Sequence, residues 1–181
     1  AFTISPDHNL LAYSLDTSGD EIYQLFVKDL TSCAITALPF DDCDGSLTWA
    51  NDNQTLFFAE LDDTHRPHKL YRHTLGQDGA ELVFEEADGR FFLHCYRSSS
   101  ERQLILLLSS KTTSESWVLD AATPQGEFRC LAPREDDHDA FIDATVHALD
   151  HRFGINHATL QIERGAGCGH DLHDAAPHHS R

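Results

Sequence analysis

The chain has 181 residues, enough for one domain of ordinary size or a domain with a small appendage. Its 30 acidic against 13 basic residues leave a net charge of −17, a field that repels phosphate and anionic lipid and so excludes nucleic acid and membrane surfaces as partners. Hydrophobic content of 40% with 11 Phe and 2 Trp supplies a core and argues against wholesale disorder.

The longest apolar run, Leu104 to Leu108, suits a buried strand and falls far short of a bilayer span. Residue 1 is Ala, Met is absent, and no basic-then-apolar leader is present. A chain starting downstream of any initiator, in the cytoplasm, is the expectation. The five cysteines (Cys33, Cys43, Cys95, Cys130, Cys168) are odd in number and show no paired spacing, which favours reduced thiols over a disulfide framework.

From residue 2 to about 134 the pattern is β. Short apolar runs, among them Leu11 to Ser14, Tyr23 to Val27, Thr55 to Ala59 and Leu104 to Leu108, alternate with Asp, Asn, Gly, Ser and Pro clusters. Ser5-Pro6-Asp7-His8-Asn9 before one apolar run recurs as Ala50-Asn51-Asp52-Asn53-Gln54 before another, and degenerately as Ser98-Ser99-Ser100-Glu101-Arg102 before Leu104. A turn and a second strand follow each copy, at Tyr23 to Val27, Lys69 to His73 and Ser116 to Leu119. A repeat of about 45 residues with several strands per unit predicts propeller blades, about three of them.

Ile4-Ser5-Pro6-Asp7, Trp49-Ala50-Asn51-Asp52, Lys69-Leu70-Tyr71-Arg72-His73 and Lys111-Thr112-Thr113-Ser114-Glu115 resemble, in order and spacing, the propeller of the oligopeptidase B branch of the prolyl oligopeptidase family. The resemblance implies a seven-bladed propeller that caps an α/β-hydrolase domain and admits only small peptides, with Ser, Asp and His of the hydrolase domain doing the catalysis. No Gly-x-Ser-x-Gly nucleophile elbow occurs in these 181 residues, so no triad residue carries over and serine-peptidase activity is not expected of this chain.

Near Asp136 the pattern changes. Ile142, Val146, Leu149 and Phe153 mark one face of a helix over residues 137–153, Gly154 is placed to end it, and Ile155 to Glu163 alternates as a strand. The fold expectation is therefore mainly β, an incomplete β-propeller over residues 1–135 with a helix–strand extension over residues 136–181. His151 to Glu163 with the tail beyond resembles the end of the cytoplasmic domain of cation diffusion facilitator transporters. That resemblance implies a small dimerising α/β unit that binds zinc or a similar ion, and makes the chain a chimera of two families.

Eight of the thirteen histidines lie after residue 137. His147 and His151 share a helical face with Asp143 one turn earlier, and two imidazoles at i, i+4 suit one Zn²⁺. Cys168, His170 and His173 form a Cys-x-His-x-x-His cluster in a glycine-rich stretch, and His157 lies on the polar face of the strand. A solvated helix face and an unliganded tail are the competing readings. His65, His68 and His73 read as propeller surface, and Asp41-Asp42, Asp62-Asp63 and Glu85-Glu86 as solvated turns.

Three functions stay open: a zinc-binding oligomeric protein, a small metal-dependent hydrolase acting on phosphate or other activated esters, and an inactive structural or interaction fragment. An arc of three blades leaves strand edges and faces uncovered, so a homo-oligomer, most simply a symmetric dimer, is expected.

Overall fold

A computed structural model of the chain describes residues 1–135, 146–147 and 150–152. The chain divides into two units between residues 139 and 140, and the first holds all the strands described here. Blade 1 comprises β1 (Phe2–Ile4), β2 (Leu10–Leu15), β3 (Gln24–Asp29) and β4 (Ile35–Ala37). Blade 2 comprises β5 (Thr48–Trp49), β6 (Thr55–Leu61), β7 (Pro67–Thr74) and β8 (Glu81–Glu85), and blade 3 comprises β9 (Phe92–Arg97), β10 (Gln103–Ser109), β11 (Ser114–Asp120) and β12 (Arg129–Ala132). Each blade is a four-stranded antiparallel meander in sequence order. Its first strand lies innermost, since β5 touches β1 on one side and β9 on the other.

The repeated sequence motif is the turn between the first two strands of each blade. Ser5 and Leu10, Ala50 and Thr55, and Ser98 and Gln103 close it in turn through backbone N–H···O bonds of 2.8–2.9 Å. Asp7 and Asp52 do the same local work, accepting bonds from Asn9 N–H and from Gln54 and Thr55 N–H respectively. The residue after each acidic or Ser position turns left-handed, at φ 61° for His8, 60° for Asn53 and 59° for Glu101. His and Asn tolerate that region readily, whereas Glu101 does so at some cost.

Alternation along the strands explains the packing. In blade 2, Leu56 and Phe58 point to blade 1, where they meet Ala12, Leu25, Val27 and Leu38. Phe57 and Ala59 point the other way, to Leu93, Leu104, Leu106 and Leu108 of blade 3. Both faces of blade 2 are thus covered, so β6 is buried at five consecutive residues and reads as a continuous apolar run. By contrast β10 alternates buried and half-buried residues, because only one face of blade 3 has a neighbour among the described residues.

Candidate functional site

Three arginines pin the blades together. Arg66, in the β6–β7 loop, is buried, and its guanidinium donates to the carbonyls of Glu86 (3.3 Å), Asp88 (3.2 Å) and Phe91 (2.9 Å), spanning the connector from blade 2 to blade 3. Its Nε donates to Asp62 at 2.8 Å. Burial works against ionisation of Asp62, yet the Thr64 hydroxyl and the N–H groups of Thr64 and Arg66 outweigh it and hold the carboxyl well below the usual range. Arg134, just past β12, bonds Glu86 and, at 2.8 Å, Glu115, with its guanidinium 3.8 Å from the Phe91 ring centroid. At the opposite end Arg72 donates to the carbonyls of Pro124 (2.5 Å) and Gly126 (3.1 Å) and pairs with Glu81 at 2.6 Å.

Because the strands are antiparallel meanders, the loops joining second to third strands share one end of the arc with the connectors between blades. That end is acidic. Asp20, Asp41 and Asp42 line a shallow cavity of about 330 Å³. Asp42, Asp62 and Asp63 with His65 line a neighbouring one of about 190 Å³. The connector beneath is tightly packed, for a Cβ at Gly45 (φ +82°) would stand 2.7 Å from the Tyr23 ring. Burial lifts the Asp44 carboxyl above its ordinary range despite bonds from Ser46. Burial likewise pushes the thiols of Cys43 and Cys95 up to about 12, so neither supplies a thiolate nucleophile.

Beyond the blades, Val146, His147 and Asp150 to Arg152 are helical. The rings of His147 and His151, both exposed, stand 5.2 Å apart between centroids.

The sequence profile of the prolyl oligopeptidase N-terminal β-propeller domain matches residues 1–157. This chain belongs to the prolyl oligopeptidase family. Protease 2 of Moraxella lacunata is 33% identical over 137 residues, 74% of this chain and 20% of that protein. An uncharacterized peptidase of Sinorhizobium fredii, y4sO, is 33% identical over 173 residues, 90% of this chain and 24% of the relative. Oligopeptidase B from Leishmania major superposes with a TM-score of 0.67 at 26% identity, covering 75% of this chain and 20% of that one. The chain therefore spans about a fifth of the length of these peptidases. The prolyl oligopeptidase profile extends past residue 136, to residue 157.

Of the candidate metal ligands, the structure describes His147 and His151 and brings them together on one helical turn. Asp143, His157, Cys168, His170 and His173, with the expected strand over residues 155–163, lie outside the described residues. Among the described residues no group of three or more His, Cys, Asp or Glu is placed to hold a metal ion. Cys33, Cys43, Cys95 and Cys130 are free. Among the described residues no helix is long and apolar enough to cross a membrane.

Two side chains read as surface are not. His73 is buried, bonded through Nδ1 to Gly79 O at 2.7 Å and edge-on to Phe40 at 5.0 Å. Glu86 is buried beneath Arg134 rather than solvated in a turn. Sequence reasoning also missed the three arginine clamps. The signal available was their place beside loops, with Arg66 four residues after Asp62.

Proposed function

We propose that residues 1–135 act as a non-catalytic propeller segment of an oligopeptidase B-type peptidase, shaping the passage of peptides toward a hydrolase domain. The observation that carries this reading is the run of three meander blades that superposes on the Leishmania major oligopeptidase B, in a sequence without a nucleophile elbow. The test is a graft of residues 1–135 in place of the matching blades of that enzyme. Turnover of short peptides should persist while a folded protein substrate stays uncut. A folded graft that digests the protein substrate, or fluorophosphonate labelling of the 181-residue chain by itself, would overturn the reading.

A second reading rests on the 5.2 Å approach of the His147 and His151 rings. We propose that the segment after residue 136 holds a divalent transition metal, zinc first, with these two histidines joined by ligands from Cys168, His170 and His173 and supported by Asp143 or His157. Four protein ligands make the site structural. Three leave a water whose pKa falls to about 7, the route to hydrolysis of phosphate or other activated esters. Elemental analysis of untagged protein after zinc supplementation should find stoichiometric zinc, lost in a His147→Ala, His151→Ala variant and in a chain ending at Glu163. Zinc retained by both altered proteins would refute it. We also propose self-association, supported by large apolar side chains such as Phe2 and Tyr96 exposed on the two end blades.

A further inference from the structure

The junction of blades 1 and 2 and that of blades 2 and 3 differ at a matched position of the repeat. The stacked pair Tyr13 and Phe26 of blade 1 recurs as Phe58 and Tyr71 of blade 2, which fixes the correspondence at forty-five residues. On the forward face of β7, the one turned to blade 3, Arg72 reaches the carbonyls of Pro124 and Gly126 in the β11–β12 turn and so fills one end of that junction. Its counterpart on β3 is Val27, too short to bridge to the β7–β8 turn, and Thr36 and Ala37 of β4 beside it are small as well. A cleft of about 500 Å³ remains there. All of its lining belongs to blades 1 and 2 and the chain just after β4, so an interface internal to the chain sets its shape.

Leu38 and Leu75 give the cleft apolar walls, and His73 sets its chemistry. This histidine is 3% exposed, on the face of β7 turned to blade 1. Its Nδ1 lies 2.7 Å from Gly79 O, and a backbone carbonyl only accepts, so Nδ1 carries the ring proton. In the neutral ring Nε2 then holds a bare lone pair. That nitrogen makes no hydrogen bond among the described residues and is not sealed off, which leaves an acceptor open to a guest. Asp29 and Asp78 also line the cleft, whereas no Lys or Arg does. The N–H groups of Ser32 and Thr31 hold the Asp29 carboxyl below its usual range, so it is charged at neutral pH.

We propose that the cleft between blades 1 and 2 binds a phenolic primary amine. The ring lies against the leucines, the hydroxyl donates to His73 Nε2, and the ammonium stands by Asp29 and Asp78. Each part of the guest answers one feature of the lining. Apolar walls alone would take any hydrocarbon, a buried lone pair calls for a donor, and two carboxylates without a basic neighbour call for a positive charge. The volume falls within the roughly 300–1,000 Å³ of small-molecule sites, and a mostly apolar lining with a few convergent polar groups is their usual make-up. A free amine and the N-terminal tyrosine of a peptide share this chemistry.

The test is titration of the full chain with tyramine, followed by long-range proton–nitrogen correlation of the histidine rings. Saturable binding should shift the His73 Nε2 resonance, which is identified by its loss in His73→Gln. Phenethylamine, which lacks the hydroxyl, and p-cresol, which lacks the amine, should each bind about tenfold more weakly. His73→Phe should weaken tyramine by about tenfold and leave phenethylamine unchanged. Asp29→Asn keeps an acceptor for Ser32 and Thr31, and should weaken tyramine about threefold or more without affecting p-cresol. If His73→Phe does not fold, Ala34→Trp carries the test, because it blocks the cleft from an exposed lining position and should abolish binding at an unchanged urea midpoint. Tyr-Gly-Gly amide competing more strongly than tyramine upholds the site with a peptide terminus as its guest, and weaker competition upholds it with a free amine. No saturable binding, phenethylamine or p-cresol as strong as tyramine, or binding untouched by Ala34→Trp overturns the proposal. No hydrolase domain takes part, so the result is separate from that of the peptidase graft.

Discussion

Truncation of Phe57 to Ala should lower the unfolding free energy by about 3–5 kcal/mol. The ring is 1% exposed and sits on the forward face of β6, inside the cluster that joins blade 2 to Leu93, Leu104, Leu106 and Leu108. Phe128, edge-on at 6.0 Å, loses its aromatic partner as well. Strands on both sides of the cavity are anchored by ladder hydrogen bonds, so the site has little freedom to collapse. Since a domain of this size carries roughly 5–15 kcal/mol in all, the variant should show a large drop in urea midpoint at unchanged slope. A change below about 1 kcal/mol would mean that blades 2 and 3 are not packed through this face.

Arg66→Met should cost about 3 kcal/mol through a different mechanism. Methionine fills much of the volume but removes the donors that serve the Glu86, Asp88 and Phe91 carbonyls, and it leaves Asp62 without its cation. Asp62 retains the Thr64 hydroxyl and N–H, which keeps the loss at the lower end of what breaking a buried pair brings. Arg66→Lys should recover little, because an ammonium cannot reproduce the planar fork. Urea unfolding gives the energy. Faster amide exchange across residues 86–91 would locate it in the connector, and exchange unaltered there would show that the clamp does not organise this segment.

Why some of this was legible beforehand follows from the same residues. A strand with one covered face alternates, and the runs at Leu11 to Ser14 and Leu104 to Leu108 do so or sit beside turn clusters, so the strands and their 45-residue recurrence could be read directly. The turn motif was equally plain, because Asp7 and Asp52 owe their identity to bonds within four residues. Long-range polar pairing carries no such local mark. Glu86 finds Arg134 forty-eight residues on, and His73 is buried against Phe40 of the connector between blades 1 and 2, so the first read as a solvated turn and the second as propeller surface. The metal candidates had a local signature in the i, i+4 spacing of His147 and His151, and the helical turn there agrees with it, while the remaining proposed ligands lie outside the described residues. The division expected at residue 136 was drawn from a change in periodicity. The family profile crosses it, through residue 157.

The double coverage of blade 2 has a kinetic corollary. Among the described residues blade 2 packs on both faces and blades 1 and 3 on one, so opening blade 2 gives up two of these interfaces and opening either neighbour gives up one. Within these three blades the amides of β6 and β7 should therefore exchange more slowly than those of β2, β3, β10 and β11. A protease that nicks the β2–β3 or β10–β11 turn would sample the partly opened molecule long before it met a globally unfolded one. Blade 2 thus acts as the persistence element among the three described blades.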